Sequence, residues 1–303
     1  MRTPRRPVSV VVPTRDRPDR LPRCLASVRA ALTADDELVV VDSASVDATA
    51  VASAASAADR VVRCERPGVG RARNAGWRAA VHELVLFTDD DVVVDEGWAQ
   101  ALAGCLENHP EAGFVTGRIE APGDEVPRRE VALKREREQQ VFDPTSIGNL
   151  GHSASMGTRR DVLEAIGGFD EALGAGGRFR SAPEADFFDR ILAAGWTGRY
   201  EPAAVAYHEQ WRTHEELVRL DYGYGYGNGA RLSKLVRSDR TRARRVAWDA
   251  LWAWGLAAAW AEWRRGERPL AKAALYRVAG TGMGFARGLA TPLRDGHLEV
   301  GER

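Results

Sequence analysis

The sequence predicts an α/β fold in which a mostly parallel, Rossmann-like sheet carries helices on both faces. Short runs rich in valine and leucine alternate with helical patterns from residue 8 to about residue 116, and the runs end in polar turns. This alternation favours parallel strands that are joined by crossover helices. After residue 212 the pattern changes to long helical stretches, which predict a C-terminal helical extension.

The composition disfavours some classes of protein. The chain has 303 residues, and 43 basic residues balance 43 acidic ones, so a nucleic-acid-binding protein with a dominant basic surface is not expected. The three cysteines are far apart, which gives no disulfide framework and favours a reducing compartment. The apolar run near the N-terminus is too short for a signal peptide, and no uncharged apolar stretch has the length of a membrane span. We therefore expect a cytoplasmic protein.

The first two predicted strands each end in a polar turn. Residues 8–12 form a β-branched run that leads into the turn at residues 13–18, and residues 37–41 form a second run that leads into residues 42–47. The first turn contains two prolines where a dinucleotide-binding fold has glycines, which disfavours that fold. The following segments predict helices over residues 21–32 and 46–57 and a third strand over residues 60–64.

The chain is organised around the fourth predicted strand and its exit. Residues 84–87 form a buried apolar run that continues through Thr88 into Asp89, Asp90 and Asp91. Three adjacent carboxylates repel one another unless a positive charge neutralises them. A divalent cation with oxygen ligands, Mg²⁺ or Mn²⁺, is the simplest neutraliser. A solvated turn with three surface acids is the alternative.

The carboxyl ends of parallel strands meet at one edge of the sheet, where open α/β proteins bind their ligands. Here that edge is predicted to collect the exits of three strands, near Thr14, Asp42 and Asp89. Arg71 and Arg73 stand at the start of the helix before the fourth strand. Carboxylates for a metal and arginines for phosphate are the parts of a nucleoside-diphosphate site.

The middle of the chain adds two carboxylates and a histidine. Glu184 and Asp186 begin a predicted helix, where the helix dipole favours acids, so catalysis and simple helix stabilisation are both open. His208 ends a short predicted edge strand, and both a metal ligand and a structural histidine remain open. The charged residues 120–145 predict either a lid or a surface excursion.

The C-terminal third combines aromatic and basic residues. Residues 222–227 alternate tyrosine and glycine, which predicts an extended loop or a flexible connector. Residues 237–245 are strongly basic, and residues 246–263 contain five tryptophans, of which Trp248 and Trp252 fall at helical spacing with Leu256. This combination fits a peripheral contact at the inner face of a membrane, packing on the rest of the chain, or a homodimer contact.

In this order, the motifs resemble those of the family 2 glycosyltransferases, which have the GT-A fold. The resemblance extends over about residues 8–213 and rests on five signals. They are Pro13-Thr14-Arg15-Asp16, the acidic turn from Asp42 to Asp47, Gly70-Arg71-Ala72-Arg73-Asn74-Ala75-Gly76, the Asp-x-Asp motif of residues 89–91, and Gly167-Gly168-Phe169-Asp170 followed by Glu184, Asp186, Arg190 and His208. The resemblance implies an inverting enzyme that moves a sugar from a nucleotide-sugar donor to an acceptor hydroxyl, with Mn²⁺ or Mg²⁺ as cofactor.

The resemblance also implies roles for individual side chains. Asp91 would ligate the metal, with Asp89 and His208 as further ligands, and Glu184 or Asp186 would be the general base. Trp211 and Ser155 are candidate acceptor contacts. The nucleotide-sugar donor would be bound by Pro13, Thr14, Arg15, Asp42, Arg71, Arg73, Asn74, Asp89 and Asp90.

The sequence departs from the family pattern in two places. The family often has two adjacent acids after the second strand, but Ser43 follows Asp42 here, which leaves the donor base open. The family also often has an adjacent Glu-Asp pair in its base motif. Pro183-Glu184 occupies that pair, counted back from Arg190, which favours Glu184 over Asp186 as the base.

The predicted organisation is a catalytic domain over residues 1–212 and a helical extension over residues 213–303. Within the catalytic domain, residues 1–118 would bind the nucleotide and residues 119–212 would carry the acceptor and base region. A glycan, a lipid-linked glycan or a small molecule would each suit as the acceptor. Two other functions remain open: a nucleotidyltransferase, which would need a glycine-rich basic loop after the first strand, and a non-catalytic nucleotide- or sugar-binding module, which the retained acids disfavour.

Overall fold

The computed structural model describes residues 5–123, 132–209 and 214–299. The chain divides into two compact units. The first, the sheet unit, comprises Met1–Pro144, Asn149–Phe169 and Phe188–Gln210, and the second, the helical unit, comprises Thr145–Gly148, Asp170–Phe187 and Trp211–Arg303. The helical unit therefore includes residues 170–187, which lie before the domain boundary that the sequence predicts at residue 212.

The first four strands form the parallel half of the main sheet. β1 (Val8–Thr14), β2 (Glu37–Asp42), β3 (Arg60–Arg63) and β4 (Leu84–Phe87) lie in the order β3-β2-β1-β4, and neighbouring strands run parallel. They alternate with α1 (Leu21–Ala31), α2 (Ala48–Ala54) and α3 (Val69–Ala79). This half confirms the strand and helix order that the sequence predicts.

The second half of the sheet is mixed. It contains β5 (Val92–Val94), β6 (Ala112–Glu120), β7 (Gln140–Phe142), β8 (Met156–Arg159) and β9 (Thr197–His208), with α4 (Trp98–Asn108), α5 (Arg160–Ile166) and α6 (Pro183–Ala193) along the chain. β8 runs antiparallel to both β4 and β6, whereas β6 and β9 run parallel. The predicted short edge strand at His208 was wrong, because β9 has 12 residues and pairs with β5, β6 and β7.

Helices cover both faces of the sheet, as predicted. On one face, Val10 of β1 belongs to the same buried cluster as Leu25 of α1 and Trp98 of α4. On the other face, α3 lies so close that a Cβ at Gly76 would be 2.3 Å from Val11 Cγ1 and would also contact β2. Alternate residues of β1 thus face opposite helix layers, as expected for a buried parallel strand.

The helical unit is built from long helices and a short hairpin. It contains α7 (His214–Ser238), α8 (Arg240–Trp248), a π-helical segment (Asp249–Ala257), α9 (Ala258–Arg264), α10 (Arg268–Leu289), β10 (Leu293–Arg294) and β11 (His297–Leu298). This confirms the predicted helical extension. Among the described residues, no helix is both long enough and apolar enough to cross a membrane.

The tyrosine-glycine repeat is helical, so the prediction of an extended loop or flexible connector was wrong. The repeat lies inside α7, where Gly225 allows α10 to approach closely. A Cβ at Gly225 would lie 2.0 Å from the Arg277 carbonyl oxygen, and one at Gly284 would lie 1.9 Å from the Tyr226 carbonyl oxygen. Close packing between the two helices outweighs the low helix propensity of glycine.

Candidate active site

The carboxyl ends of β1 and β2 place two predicted site residues side by side. Thr14 and Asp42 are partners in the parallel register of the two strands. The Ser43 N–H donates a hydrogen bond to the Thr14 carbonyl at 2.9 Å, and the Thr14 hydroxyl donates to Asp90 Oδ2 at 2.8 Å. The exits of β1, β2 and β4 therefore meet at one edge of the sheet, as the sequence predicts.

Asp42 is buried and both of its carboxylate oxygens accept hydrogen bonds. The Ser45 N–H donates to Oδ1 at 2.9 Å, and the Arg63 guanidinium, at the end of β3, donates to Oδ2. The turn after β1 joins the same network, because the Asp16 N–H donates to Ser45 Oγ at 2.9 Å and Asp16 Oδ1 accepts from the Val46 N–H at 2.7 Å. These bonds fix the turns after β1 and β2 against each other.

Arg17 neutralises much of the aspartate cluster, and the sequence analysis missed it. Its Nη1 lies 2.8 Å from Asp90 Oδ1 and 3.2 Å from Asp91 Oδ2. Neither of the two open predictions, a metal ion or a solvated turn, included an arginine partner. A search of the turn after β1 for cations would have found Arg17, because that turn is predicted to reach the same edge of the sheet.

Burial and neighbouring charges both shift the pKa values of side chains at this edge of the sheet. Burial raises the pKa of the Asp90 carboxyl to about 6; the Arg17 guanidinium opposes this shift, and the neighbouring Asp91 adds to it. Burial alone would lower the pKa of Arg17, but Asp90, Asp91 and Asp89 raise it above the usual arginine value. Arg17 therefore keeps its charge beside the acids.

Asp91 and His208 face each other at the end of the sheet. The register of β5 and β9 pairs Val92 with His208, and the Glu209 N–H donates to the Asp91 carbonyl at 3.1 Å. Asp91 Oδ1 lies 3.6 Å from His208 Nε2, and both residues are only 6% exposed. The described residues contain no group of three or more His, Cys, Asp or Glu side chains arranged to hold an ion. The pair suits the kind of Mg²⁺ or Mn²⁺ site in which one or two protein ligands bind together with substrate phosphates.

Asp89 points to a different arginine. Arg73 Nη2 donates to Asp89 Oδ1 at 2.7 Å, and the Arg73 guanidinium carbon lies 5.6 Å from the centre of the Phe169 ring. The Asp89 side chain is 27% exposed, whereas that of Arg73 is only 3% exposed. Arg71 lies nearby on α3 and is half-buried. The structure thus brings the predicted basic segment to the predicted acidic edge.

Asn74 fixes a loop within the sheet unit by hydrogen bonds. Its Nδ2 donates to the Phe169 carbonyl at 2.9 Å, and its Oδ1 accepts from the Phe169 N–H at 2.8 Å and from Trp77 Nε1 at 3.1 Å. Gly168 approaches so closely, with a φ of +73°, that a Cβ there would lie 2.5 Å from Asn74 Oδ1. The motif asparagine therefore fixes the glycine loop after α5.

Three other predicted site residues have simpler surroundings. Ser155 is fully buried and accepts a hydrogen bond from Trp98 Nε1 at 2.8 Å, which places it in the core instead of at a surface that an acceptor can reach. Pro13 is buried in β1, and Arg15 is exposed with Nε 3.3 Å from Asp16 Oδ2. Trp211 lies outside the described residues.

A buried lysine joins two acids in the helical unit, and the sequence analysis missed this group too. Lys234 Nζ, from α7, lies 2.6 Å from Asp170 Oδ2 and 2.5 Å from Asp186 Oδ1. The Leu298 N–H also donates to Asp170 Oδ2 at 2.9 Å. The three charged residues are between 1% and 5% exposed. We call them the Lys234 cluster.

Glu184 has different surroundings from Asp186, although both lie in the first turn of α6. Asp186 is 2% exposed and belongs to the Lys234 cluster, whereas Glu184 is only half-buried. The loop between Asp170 and α6 is bound to α7, because the Ser181 hydroxyl donates to the Gly223 carbonyl at 3.1 Å. Of the two acids, Glu184 is thus the one with solvent access.

Comparisons with known sequences place the chain among glycosyltransferases. The profile of glycosyl transferase family 2 matches residues 9–167, just over half of the chain. The pre-mycofactocin glycosyltransferase of Mycobacterium tuberculosis strain H37Rv is 29% identical over 259 residues, which cover 82% of this chain and 52% of that protein. Glycosyltransferase AglE of Haloferax volcanii is 24% identical over 255 residues, which cover 81% of this chain and 79% of that protein. This chain spans about half the length of the mycobacterial relative.

Solved structures show the same fold. The mannosyltransferase PcManGT from Pyrobaculum calidifontis, solved in complex with GDP-Man and Mn²⁺, has a TM-score of 0.61 at 19% identity, and the match covers 97% of this chain and 78% of that one. S. aureus TarS 1-349 in complex with UDP-GlcNAc has a TM-score of 0.54 at 17% identity over 97% of this chain and 96% of that one. These likenesses confirm the predicted GT-A fold. Together with the profile match and the ordered motifs, they establish that the chain belongs to the family 2 glycosyltransferases.

Proposed function

We propose that this protein transfers a sugar from a nucleoside-diphosphate sugar to an acceptor hydroxyl. The observation that carries the proposal is the acidic edge of the sheet, where Thr14, Asp42 and Asp90 meet at the carboxyl ends of three strands. Ligands of open α/β sheets bind at this position. The family membership gives the chemistry, and the arginines Arg17, Arg63 and Arg73 at the same edge suit a charged nucleotide.

We propose further that Asp91 and His208 hold a divalent cation, Mn²⁺ or Mg²⁺, together with the diphosphate of the donor. Their facing oxygen and nitrogen atoms support this assignment, as does the Mn²⁺ present with GDP-Man in the related mannosyltransferase. When bound, the ion supplies Lewis-acid stabilisation of the leaving diphosphate. Asp89 would contact the ribose or the ion, since its carboxylate is more exposed than those of Asp90 and Asp91.

For the general base we propose Glu184 instead of Asp186. The Asp186 carboxylate is bound to the buried Lys234 ammonium and is thereby occupied by a structural ion pair. Glu184 lies two residues earlier in α6 and is half-buried. Proton removal makes the acceptor hydroxyl a nucleophile, and its attack on the anomeric carbon from the side opposite the leaving diphosphate inverts the configuration.

We also propose which residues bind the donor, and the geometry of the sheet edge supports this proposal. Asp42 would accept a hydrogen bond from the base or ribose, because Ser45 and Arg63 fix its carboxylate in place. Arg71 or Arg73 would pair with the diphosphate. Asn74 would act through the loop that it fixes at Phe169, without touching the donor.

The experiment that tests this function is a release assay. The protein is incubated with UDP-, GDP- and dTDP-sugars, with Mn²⁺ or with a chelator, and the freed nucleoside diphosphate is measured. Pre-mycofactocin is one acceptor to add, given the mycobacterial relative, beside glycan, lipid-linked and small-molecule acceptors. We expect release that requires Mn²⁺ or Mg²⁺ and one donor base. Equal release with the chelator would contradict the metal role, and no release with any donor and acceptor pair would contradict the transferase function.

A further inference from the structure

One segment of the helical unit exposes five tryptophans along its length. Trp248, Trp252, Trp254, Trp260 and Trp263 are each between 51% and 68% exposed, along α8, the π-helical segment and α9. The rings of Trp248 and Trp252 stack with centres 5.8 Å apart. We call these five side chains the tryptophan surface. Large exposed apolar surfaces of this kind mark contact sites, whereas scattered single residues do not.

The same segment also has a packed side. Gly255 is buried, and a Cβ there would lie 2.5 Å from Val278 Cγ2 of α10. Val246 and Ala259 are also buried, at 8% and 7% exposure. The segment is therefore a folded part of the helical unit, and the tryptophan surface is what its packing leaves uncovered among the described residues.

Exposed basic residues flank the tryptophans along the chain. The acidic residues of this segment, Asp249, Glu262 and Glu267, are half-buried. Glu262 forms an ion pair with Arg265 at 2.8 Å. The chain as a whole has no net charge, so the excess is local. The exposed basic residues on both sides are Arg240, Arg244, Arg245, Arg264, Arg265 and Arg268.

Tryptophan and arginine together suit the interface of a lipid bilayer. The indole ring has an apolar body and a polar N–H, which both find partners at the headgroup level. Arginine stems cover apolar surface while their charges contact anionic headgroups, and each basic residue near such a surface contributes about 1 kcal/mol. Arg264 already shows the pairing, because its guanidinium carbon lies 4.7 Å from the centre of the Trp260 ring.

A second copy of the chain suits this surface less well. A twofold contact places the same patch of both copies together, so the arginines on both sides would face arginines. An anionic surface has the opposite charge and meets no such repulsion. The charge around the tryptophans therefore selects between the two partners.

We propose that the tryptophan surface docks the protein on an anionic lipid bilayer. In this arrangement the tryptophan rings enter the headgroup region, the surrounding arginines contact anionic headgroups, and the helical segment lies along the interface. This role is separate from sugar transfer and concerns only where the protein is held.

Vesicle sedimentation tests the proposal directly. The intact protein is mixed with vesicles of phosphatidylcholine alone and with vesicles that contain about one third phosphatidylglycerol, at low and high salt. We expect binding to the anionic vesicles that is at least about tenfold stronger and weakens with salt, together with a blue shift of tryptophan emission. No binding to either vesicle, or equal binding to both, would overturn the proposal.

Paired variants locate the contact. Trp252→Ala/Trp260→Ala/Trp263→Ala should lose at least about tenfold in vesicle affinity while the circular dichroism spectrum stays unchanged, because these side chains are exposed. Val61→Ser/Val81→Ser removes exposed apolar side chains of the sheet unit and should bind vesicles like the wild type. Light scattering must show a monomer that the triple variant does not alter. A dimer that the triple variant dissociates would show that a second copy covers the surface and would overturn the proposal.

Discussion

Glu184 and Asp186 are two residues apart in α6, yet their carboxylates have different surroundings. Lys234 binds Asp186 at 2.5 Å within a buried cluster, and Glu184 is half-buried. A general base must accept a proton from the substrate, and an acid held by a buried ammonium is poorly suited to do so. We therefore expect mutation to distinguish Glu184, the proposed base, from Asp186, the proposed structural acid.

We predict that Glu184→Gln lowers kcat about 10²–10⁴-fold while the donor dissociation constant and Tm stay close to the wild-type values, because only proton transfer is lost. Steady-state kinetics, calorimetry and thermal unfolding measure the three quantities. Asp186→Asn is the matched variant, and it should lower Tm clearly because it removes one partner of Lys234. A full loss of kcat in Asp186→Asn at unchanged Tm would assign the base to Asp186.

Lys234 supplies the positive charge that faces the two carboxylates of its cluster. We predict that Lys234→Met lowers the free energy of unfolding by about 3–5 kcal/mol, because Asp170 and Asp186 stay buried without their cation. Denaturant unfolding measures the loss. Lys272→Met, at an exposed position, should change the free energy by less than about 0.5 kcal/mol. Equal small effects of both variants would show that the cluster does not stabilise the fold.

Asp36 gives a pH dependence to the stability of the sheet unit. Burial alone would raise the pKa of its carboxyl, but Arg5 and the N–H groups of Thr33 and Val8 lower it to about 2. A lowered folded-state pKa stabilises the protein above the unfolded-state pKa of about 4, and this contribution is lost as the pH falls through 2.

We therefore predict that Asp36→Asn costs about 2 kcal/mol of unfolding free energy at pH 7 and about half of that at pH 3. Urea unfolding at both pH values measures the difference from the wild type. Asp35→Asn changes the exposed neighbour and should have little effect at either pH. A cost of Asp36→Asn that is the same at both pH values would refute the linkage.

Single residues of the site differ in how far the sequence reveals them. Thr14, Asp42 and Asp89 were predictable as neighbours because each lies at the exit of a strand, and these exits must reach one sheet edge. Lys234 was not found, since it pairs with acids far away in the chain and only the three-dimensional packing selects it from the many basic residues. Arg17 was overlooked although it lies in the turn that is predicted to reach the same sheet edge as its acids.

At the scale of elements, glycine spacing sets how α7 and α10 pack. We predict that Gly284→Ala costs about 1–3 kcal/mol, because the added Cβ would lie 1.9 Å from the Tyr226 carbonyl oxygen, which belongs to the backbone. Gly282→Ala lies on the same helix with no atom within 4 Å and should stabilise the protein by about 0.5–1 kcal/mol. Thermal unfolding of the two variants should give shifts of opposite sign, and shifts of the same sign would contradict the packing.

Helices and strands with strong local periodicity form where the sequence predicts them. Those that depend on distant partners were not predicted correctly. β1 and α4 have clear patterns and form where predicted. The short β8 is stabilised by β4 on one side and β6 on the other, and α7 contains glycines that only a close partner helix tolerates. The edge-strand prediction for β9 failed because three distant strands pair with it.

At the scale of the whole molecule, the sequence predicted the fold class and the family because the motifs occur in a fixed order along alternating strands and helices. The division into units was harder to predict from the sequence. Residues 170–187 lie in the middle of the chain between two parts of the sheet unit, yet they belong with the C-terminal helices. Buried contacts such as that between Asp170 and Lys234 decide this grouping, and a linear pattern does not show them.

The central claim is that Asp91 takes part in metal-dependent binding of a nucleotide-sugar donor. Isothermal titration calorimetry of the wild type, Asp91→Asn and the exposed control Asp95→Asn, with UDP- and GDP-sugars and with or without Mn²⁺, tests it most directly. We predict that Mn²⁺ strengthens donor binding at least about tenfold in the wild type and in Asp95→Asn, and that Asp91→Asn loses this gain. Donor binding that is equally tight with and without Mn²⁺, or a metal effect that survives in Asp91→Asn, would contradict the claim.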